Sequence, residues 1–295
     1  DGAAVLAVGN AGYHFVEWSD HQEENPRTAC GNTGNLSVAA EFAANAYTIT
    51  FDAAGGETPD PDSKDVTYRE PYGDTPVPRR TGHTFRGWYT APSGGNRILP
   101  STLMNIPHDH ALYAQWTPKQ YAVSFFQQGG STPVPSWKTV TYGQPFGALP
   151  ATTRTGHDFD GWWTSANGGI RITEETIVST GNSLYGYNLF AHWIIHTHAL
   201  TYLAGDHGEI DGVTPQQVNY GADGLPVTAV PDTGYAFTEW ADGRPDNPRL
   251  DFANTQDLYV SAEFTINQYQ LVYAAGNNGS VTGVLSQTVN HGDSG

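Results

Sequence analysis

The sequence predicts a mainly β fold, a β-rich α+β class built as an elongated tandem array of small repeat domains, and three observations carry that prediction. A seven-residue pattern, Gly-x-x-Phe-x-x-Trp, occurs four times, with Gly12, Phe15 and Trp18, then Gly82, Phe85 and Trp88, Gly156, Phe159 and Trp162, and Gly234, Phe237 and Trp240. The glycines lie 70, 74 and 78 residues apart, the spacing of small domains and too long for solenoid coils of about 20–50 residues. Between the motifs, short runs alternate large or apolar residues with polar ones, the two-residue period of strands with one buried face.

Taken in order, residues 1–46 begin inside a unit with the first glycine motif and close on Val38-Ala39-Ala40-Glu41-Phe42. The same closing strand recurs as Leu112–Trp116, Leu189–Trp193 and Val260–Phe264. Each following unit opens on a second alternating run, Tyr47–Phe51, Tyr121–Phe125, Leu200–Tyr202 and Tyr269–Tyr273. Glycines at 55–56, 129–130, 208 and 279 end these runs, as a hairpin or loop reversal requires. A short third strand then ends at Tyr68, Tyr142, Tyr220 and His291. Units 47–118, 119–197 and 198–267 are thus complete, flanked by partial units 1–46 and 268–295. Linkers of two or three residues leave little slack, so neighbouring units are expected to stack as a semi-rigid rod.

Two subtypes are visible. The units at 47–118 and 121–195 follow the motif Trp with Tyr89-Thr90 or Trp163-Thr164 and then a double glycine, Gly94-Gly95 or Gly168-Gly169. Ile172–Ile177 there carries a capping Thr and two early acids, enough for one helical turn. The other subtype has Trp-x-Asp with Asn-Pro-Arg following, as in Trp18, Asp20 and Asn25-Pro26-Arg27, or Trp240, Asp242 and Asn247-Pro248-Arg249.

Charge and composition exclude several function classes. Thirty acidic residues against thirteen basic ones give a net charge of −17, a surface that repels nucleic acid and anionic lipid. No apolar run is long enough to cross a membrane as a helix, so membrane insertion is not expected. Eight Trp, sixteen Tyr and twelve Phe replace bulk aliphatic packing in units too small for a large core. Cys30 is the lone cysteine, so no intrachain disulfide and no cysteine metal site can form. Phe252 stands at its equivalent position in the related unit, which favours a half-buried packing role. The chain opens at Asp1 without an initiator Met or leader pattern, the expectation for a mature or excised piece.

The units at 47–118 and 121–195 resemble the internalin B-type repeat family, also called the Listeria-Bacteroides repeat. The residues that carry the resemblance are Arg80-Thr81-Gly82-His83-Thr84-Phe85-Arg86-Gly87-Trp88 and Arg154-Thr155-Gly156-His157-Asp158-Phe159-Asp160-Gly161-Trp162, with the opening aromatic strand, the double glycine, Val-x-Tyr and the closing Leu-Tyr-Ala-x-Trp. Residues 1–46 and 199–295 resemble a divergent branch of the same family. On that resemblance 1–46 is the C-terminal part of a divergent repeat, 47–118 and 119–197 are B-type repeats, 198–267 is a divergent repeat and 268–295 is the N-terminal part of another. The resemblance implies small β-grasp-like modules in stalks of large bacterial surface proteins and adhesins. It brings no catalytic residues, and a fold does not by itself assign a ligand.

Candidate residues divide into core and surface. Phe15, Trp18, Phe85, Trp88, Phe159, Trp162, Phe237 and Trp240 recur in register, which marks a structural core with the glycine permitting a tight turn. Residues flanking each Phe vary freely and are expected to face solvent. Asp158 and Asp160 could form a carboxylate pair, but no second positioned group accompanies them. His192, His196 and His198 share strand parity, and His108 and His110 form a close pair, residue types that zinc accepts. Yet His192 stands at an outward position of the closing strand and the other two lie at a unit junction, so no metal is assigned. Trp137 and Trp163, the aromatics least explained by the repeat, and Tyr269, Leu271 and Tyr273 of the final opening strand are possible interface residues. No nucleophile elbow, zinc-protease helix, phosphate loop or dinucleotide fingerprint occurs.

These readings converge on a non-catalytic structural or adhesive stalk of a bacterial extracellular surface protein, without cofactor. Expected partners are neighbouring repeats or copies of itself, and a host or cell-surface protein or glycan. Two alternatives stay open. One is a filament subunit assembled head to tail, with Tyr269, Leu271 and Tyr273 of one chain packing beneath Phe15 and Trp18 of the next. The other is a carbohydrate- or receptor-binding module in which Trp163 and Trp137 line an exposed groove. Private cores predict that Phe85→Ala or Trp162→Ala unfolds its own unit and leaves the others folded, since a buried large aromatic contributes about 3–5 kcal/mol. Domain-resolved proteolysis checks this, and loss of protection in every unit from one substitution would contradict it.

Overall fold

In the computed structural model, which describes residues 2–181 and 186–294, strands account for all the regular elements. Strands β1 (Tyr13–Trp18) and β2 (Ala40–Ala44) pair antiparallel. The next five are β3 (Ala46–Asp52), β4 (Ser63–Thr67), β5 (His83–Tyr89), β6 (Arg97–Ile98) and β7 (His110–Pro118), in sheet order β4-β3-β7-β5-β6. Their counterparts are β8 (Gln120–Phe126), β9 (Trp137–Thr141), β10 (His157–Trp163), β11 (Arg171–Ile172) and β12 (Gly186–Ile195), in order β11-β10-β12-β8-β9. The divergent part contributes β13 (Thr197–Leu203), β14 (Gly208–Asp211), β15 (Gln216–Asn219), β16 (Thr228–Pro231), β17 (Tyr235–Trp240) and β18 (Leu258–Ile266). Four of these form the sheet β15-β13-β18-β17, and β14 pairs with β16. A hairpin of β19 (Gln268–Val272) and β20 (Ser286–Asn290) follows.

By compactness the chain divides into two units, one of residues 1–123, 138–148 and 174–187, the other of residues 124–137, 149–173 and 188–295. In the first unit the opening strand β3 lies parallel to the closing strand β7, with Ile49 opposite His110 and Phe51 opposite Leu112. The core gathers on one face of this sheet, where Ile49, Met104 and Leu112 are fully buried around Trp88, with Phe51, Val66, Tyr72 and Ala114. In the second unit β13 and β18 make the same parallel pair, and Trp240 is enclosed by Leu200, Tyr202, Val227 and Val260. The predicted alternation is visible directly: Leu112 and Ala114 point inward at i and i+2, and Trp116 is half-buried at i+4.

Each motif strand of the B-type repeats carries a β-bulge after its Phe, at Phe85/Gly87 in β5 and Phe159/Gly161 in β10. The extra residue adds local twist and turns the Trp inward while the Phe stays half-buried against it, at ring separations of 5.6 Å for Phe85–Trp88 and 5.4 Å for Phe159–Trp162. The extra residues are Arg86 and Asp160, and the residue after each is Gly because an arginine lies across it: a Cβ on Gly87 would stand 2.7 Å from Arg97 Nε, and one on Gly161 2.7 Å from Arg171 Nε.

Two expectations are corrected. The helical turn expected over Ile172–Ile177 is absent, and no helix occurs among the described residues: β11 ends at Ile172, and Glu174-Glu175 make a turn. The carbonyls a helix would need accept other donors, Glu174 from Gly147 at 2.8 Å and Thr176 from Phe146 at 2.9 Å, and so short a run does not nucleate a helix against such competition. Cys30 and Phe252 do not pack, since both are exposed, Phe252 at 66%.

Candidate functional site

The feature built most consistently is a joint at each repeat boundary. A single residue separates the closing strand of one repeat from the opening strand of the next: Asn45 between β2 and β3, Lys119 between β7 and β8, His196 between β12 and β13, Asn267 between β18 and β19. The linkers are therefore shorter than the two or three residues expected. Each linker N–H donates to the carbonyl of the preceding motif glycine, Gly12, Gly82, Gly156 or Gly234, at 2.8 Å in all four cases. Each linker carbonyl accepts from the N–H of the aromatic that ends the next repeat's third strand, Tyr68, Tyr142, Tyr220 or His291, at 2.8–2.9 Å.

The same aromatic ring then lies on the glycine. A Cβ built on Gly12, Gly82, Gly156 or Gly234 would meet that ring at 2.2–2.4 Å, closer than atoms can approach. All four glycines also have positive φ, from 69° to 88°, a region that costs residues with a Cβ. The motif glycine is thus both a turn residue and the landing site of the following repeat. The residue after it adds a ring contact in two joints, Tyr13 on Tyr68 at 5.6 Å and His83 on Tyr142 at 5.4 Å, both edge to face.

The divergent subtype holds its motif Trp by a device that the sequence motif contained without revealing its purpose. In Asn247-Pro248-Arg249 the Asn247 amide pairs with both backbone groups of Ala229, at 2.9 and 2.7 Å. Arg249, 1% exposed, donates two bonds to Asp242 at 2.8 Å and two to Asp251 at 2.7 and 2.9 Å. Its guanidinium also lies 5.4 Å from the Trp240 ring, a cation–π contact. Tyr202 donates to Asp251 at 2.8 Å and Arg244 adds a further bond at 2.6 Å. The N-terminal copy repeats the pattern: Asn25 pairs with both groups of Ala7, Arg27 forks onto Asp20 at 2.5 and 2.6 Å, and its guanidinium lies 5.7 Å from the Trp18 ring. Trp-x-Asp with Asn-Pro-Arg is therefore a clamp. A buried bidentate cation pairs with flanking carboxylates in a fixed plane, the geometry for which Arg is suited.

Electrostatics follow from these contacts. The hydrogen bonds from Arg249 hold the Asp242 carboxyl below the usual range against a partial burial that opposes them. For Asp251 burial is the largest influence and pushes upward, but the bonds from Arg249 and Tyr202 and the guanidinium charges outweigh it and leave the carboxyl lowered. Burial pushes the Tyr202 hydroxyl up, reinforced by its bond to Asp251.

The other sequence candidates take these places. Trp18, Trp88, Trp162 and Trp240 are buried, and Phe15, Phe85, Phe159 and Phe237 are half-buried beside them. Trp137 is 62% exposed on β9, whereas Trp163 is half-buried and stacks on His192 at 4.7 Å. His192 lies on the face of β12 opposite the buried Leu189 and Ala191, and that stack, with a His192–Ser165 carbonyl bond of 2.9 Å, leaves it half-buried there. His196 pairs with Asp158 at 3.0 Å and His198 with Asp257 at 3.3 Å, so the three histidines serve separate local partners. His110 bonds Tyr72 at 2.8 Å. Among the described residues no group of three or more His, Cys, Asp or Glu is placed to hold a metal. Tyr269 and Tyr273 stand 48% and 47% exposed, and Leu271 is half-buried.

Comparison with known proteins agrees with this architecture. Residues 47–115 and 121–185 match the Listeria-Bacteroides repeat domain, and residues 1–46 and 198–268 match the divergent InlB B-repeat domain. The chain belongs to this internalin B-type repeat family. It is 22% identical over 286 residues to a proposed Gly-rich membrane protein of Evansella cellulosilytica, covering 92% of this chain and 31% of that protein. A second proposed membrane protein of the same organism is 25% identical over 248 residues, covering 81% of this chain and 34% of its own length. Internalin H of Listeria monocytogenes is 33% identical over 126 residues, 43% of this chain and 22% of that protein. The chain thus spans about a third or less of the length of these relatives. No helix among the described residues is long and apolar enough to cross a membrane.

The clamp predicts an acid dependence with a definite sign. Asp242 and Asp251 are lowered in the folded state, so their contribution is complete above the unfolded carboxylate pKa of about 3.9 and is lost as pH falls through the lower folded values. The urea midpoint followed by exchange at the Trp240 core should hold from pH 7 to about 5 and decline below about 4. Asp251→Asn should flatten that decline, and an equally steep decline in the variant would show that the clamp is not its source.

Proposed function

We propose that this stretch is a non-catalytic spacer, a structural and adhesive stalk region of a large bacterial protein exposed outside the cell. The observation that carries this reading is the fourfold repetition of one joint with a single linker residue whose two backbone groups are both committed. A spacer holds a distance, and a joint without slack resists bending because any rotation breaks two hydrogen bonds and lifts a ring from its seat. The relatives support the setting: one is an internalin, and the others are proposed membrane proteins. The acidic surface and its net charge of −17 keep a long array soluble.

The joints supply the test. Gly82→Val places branched atoms where the Tyr142 ring lies, and it should leave the Trp88 core folded while loosening that joint. Small-angle scattering of the full chain should then show a broader distribution of interatomic distances than the parent. A parent chain that already samples an equally broad distribution would contradict a spacer role.

A further inference from the structure

The joint between the two B-type repeats differs from the others in charge. A groove of about 400 Å³ lies beside it, lined among others by Arg79, Arg80, His83, Trp116 and Lys119, with Glu57 as its carboxylate. A neighbouring hollow of about 420 Å³ shares Arg79, Arg80 and His83 and reaches Tyr142. Three of the thirteen basic residues of a chain with net charge −17 therefore meet in one place. Among the described residues none of the three forms an ion pair, whereas Arg27, Arg244 and Arg249 are each occupied by aspartates. Arg80 is held in place by a bond from Nη1 to the Ala54 carbonyl at 3.1 Å, which leaves other guanidinium N–H groups for a ligand. Arg79 and Lys119 are exposed.

The repeat provides its own comparison. At the positions of Arg79, Arg80 and Lys119 the following joint has Thr153, Arg154 and His196, and the last has Pro231, Asp232 and Asn267. The shared joint geometry does not require these charges, since the same backbone bonds form without them. Lys119 is a linker residue whose backbone alone serves the joint, so its side chain is unexplained by folding.

We infer that this groove binds an acidic polysaccharide, a chain whose carboxylates are spaced along neutral sugar rings. Arginine forks suit bidentate recognition of carboxylate. Trp116 offers an apolar wall held by its indole N–H to the Ala53 carbonyl at 2.9 Å, and the edge-to-face pair of His83 and Tyr142 forms a second aromatic margin. The volume is at the small end of ligand sites and takes a short segment of an extended chain. Spaced charges matter because the surrounding surface is acidic: a polymer with a phosphate at every residue would meet repulsion on both sides of a three-charge patch. The inference stands apart from the spacer reading, because binding at this groove requires neither stiffness nor a particular length of array.

The test titrates the full chain with a fluorescent hyaluronan oligosaccharide, which carries a glucuronate on alternate sugars, at low and at moderate salt. The expected result is saturable binding at low salt, weakened by added salt, and weakened at least tenfold by the double substitution Arg79→Ala with Lys119→Ala. Both side chains are exposed, and circular dichroism verifies that the variant folds. Arg154→Ala at the following joint should leave binding unchanged. Absence of binding at low salt, equal binding by the double variant, or equal binding of neutral dextran or of single-stranded DNA would each overturn the inference.

Discussion

Everything in this chain hangs on the seat of one aromatic ring on one glycine. The motif glycine closes a turn in left-handed backbone, and the same missing Cβ admits the ring that ends the third strand of the next repeat. With the ring seated, the single linker residue has its N–H and C=O both satisfied across the boundary. This joins two requirements at one atom, since a methyl group there would strain the turn and unseat the neighbour together. The closing strand consequently leads into the next opening strand with no loop between them.

The two subtypes solve a shared problem differently. In each, an indole N–H must find an acceptor when the motif Trp is buried; Trp88 and Trp162 donate to Pro76 and Pro150 at 2.8 Å, and Trp240 and Trp18 to Asp246 and Glu24 at 2.9 and 3.0 Å. In the B-type repeats the flank is the glycine just after the bulge, with Arg97 or Arg171 across it, and a short extra strand. In the divergent repeats that strand is missing, and the Arg-Asp clamp covers the Trp. A buried guanidinium is costly unless fully paired, and Arg249 meets that condition with four bonds to two carboxylates. The N-terminal copy keeps only the first of these two carboxylates: Arg27, which is less deeply buried than Arg249, forks onto Asp20 alone, and Ala29 stands where Asp251 would be.

The strands, their inward faces and the Trp cores were legible in the sequence because a two-residue period records burial directly. Repetition of Gly12, Gly82, Gly156 and Gly234 marked them as constrained, yet only one of their two constraints, the turn, is local. The other is a contact with a residue 56 to 64 positions later, and no pattern within one repeat reports it. The signal was present in the recurrence of Tyr68, Tyr142, Tyr220 and His291 in step with the glycines. The parallel pairing of opening and closing strands is long-range in the same way. Asn-Pro-Arg was visible as a motif, but its chemistry depends on Asp251, which has Ala29 at the corresponding N-terminal position and so did not repeat. The charge beside Gly82 is the reverse case: Arg79 and Lys119 fall outside the repeat pattern and became informative only when folding placed them in one groove.

Amide exchange in a Tyr220→Ala chain tests the central claim most directly. If the seated ring holds the joint, the His196 amide, which donates to Gly156, and the amide at position 220, which donates to His196, should lose protection by tenfold or more. Amides around the Trp240 core, including Val260 and Ala262, should keep theirs. Unchanged protection at both joint amides would show that the backbone relay stands without the ring, and would contradict the dependence of the joint on its seat.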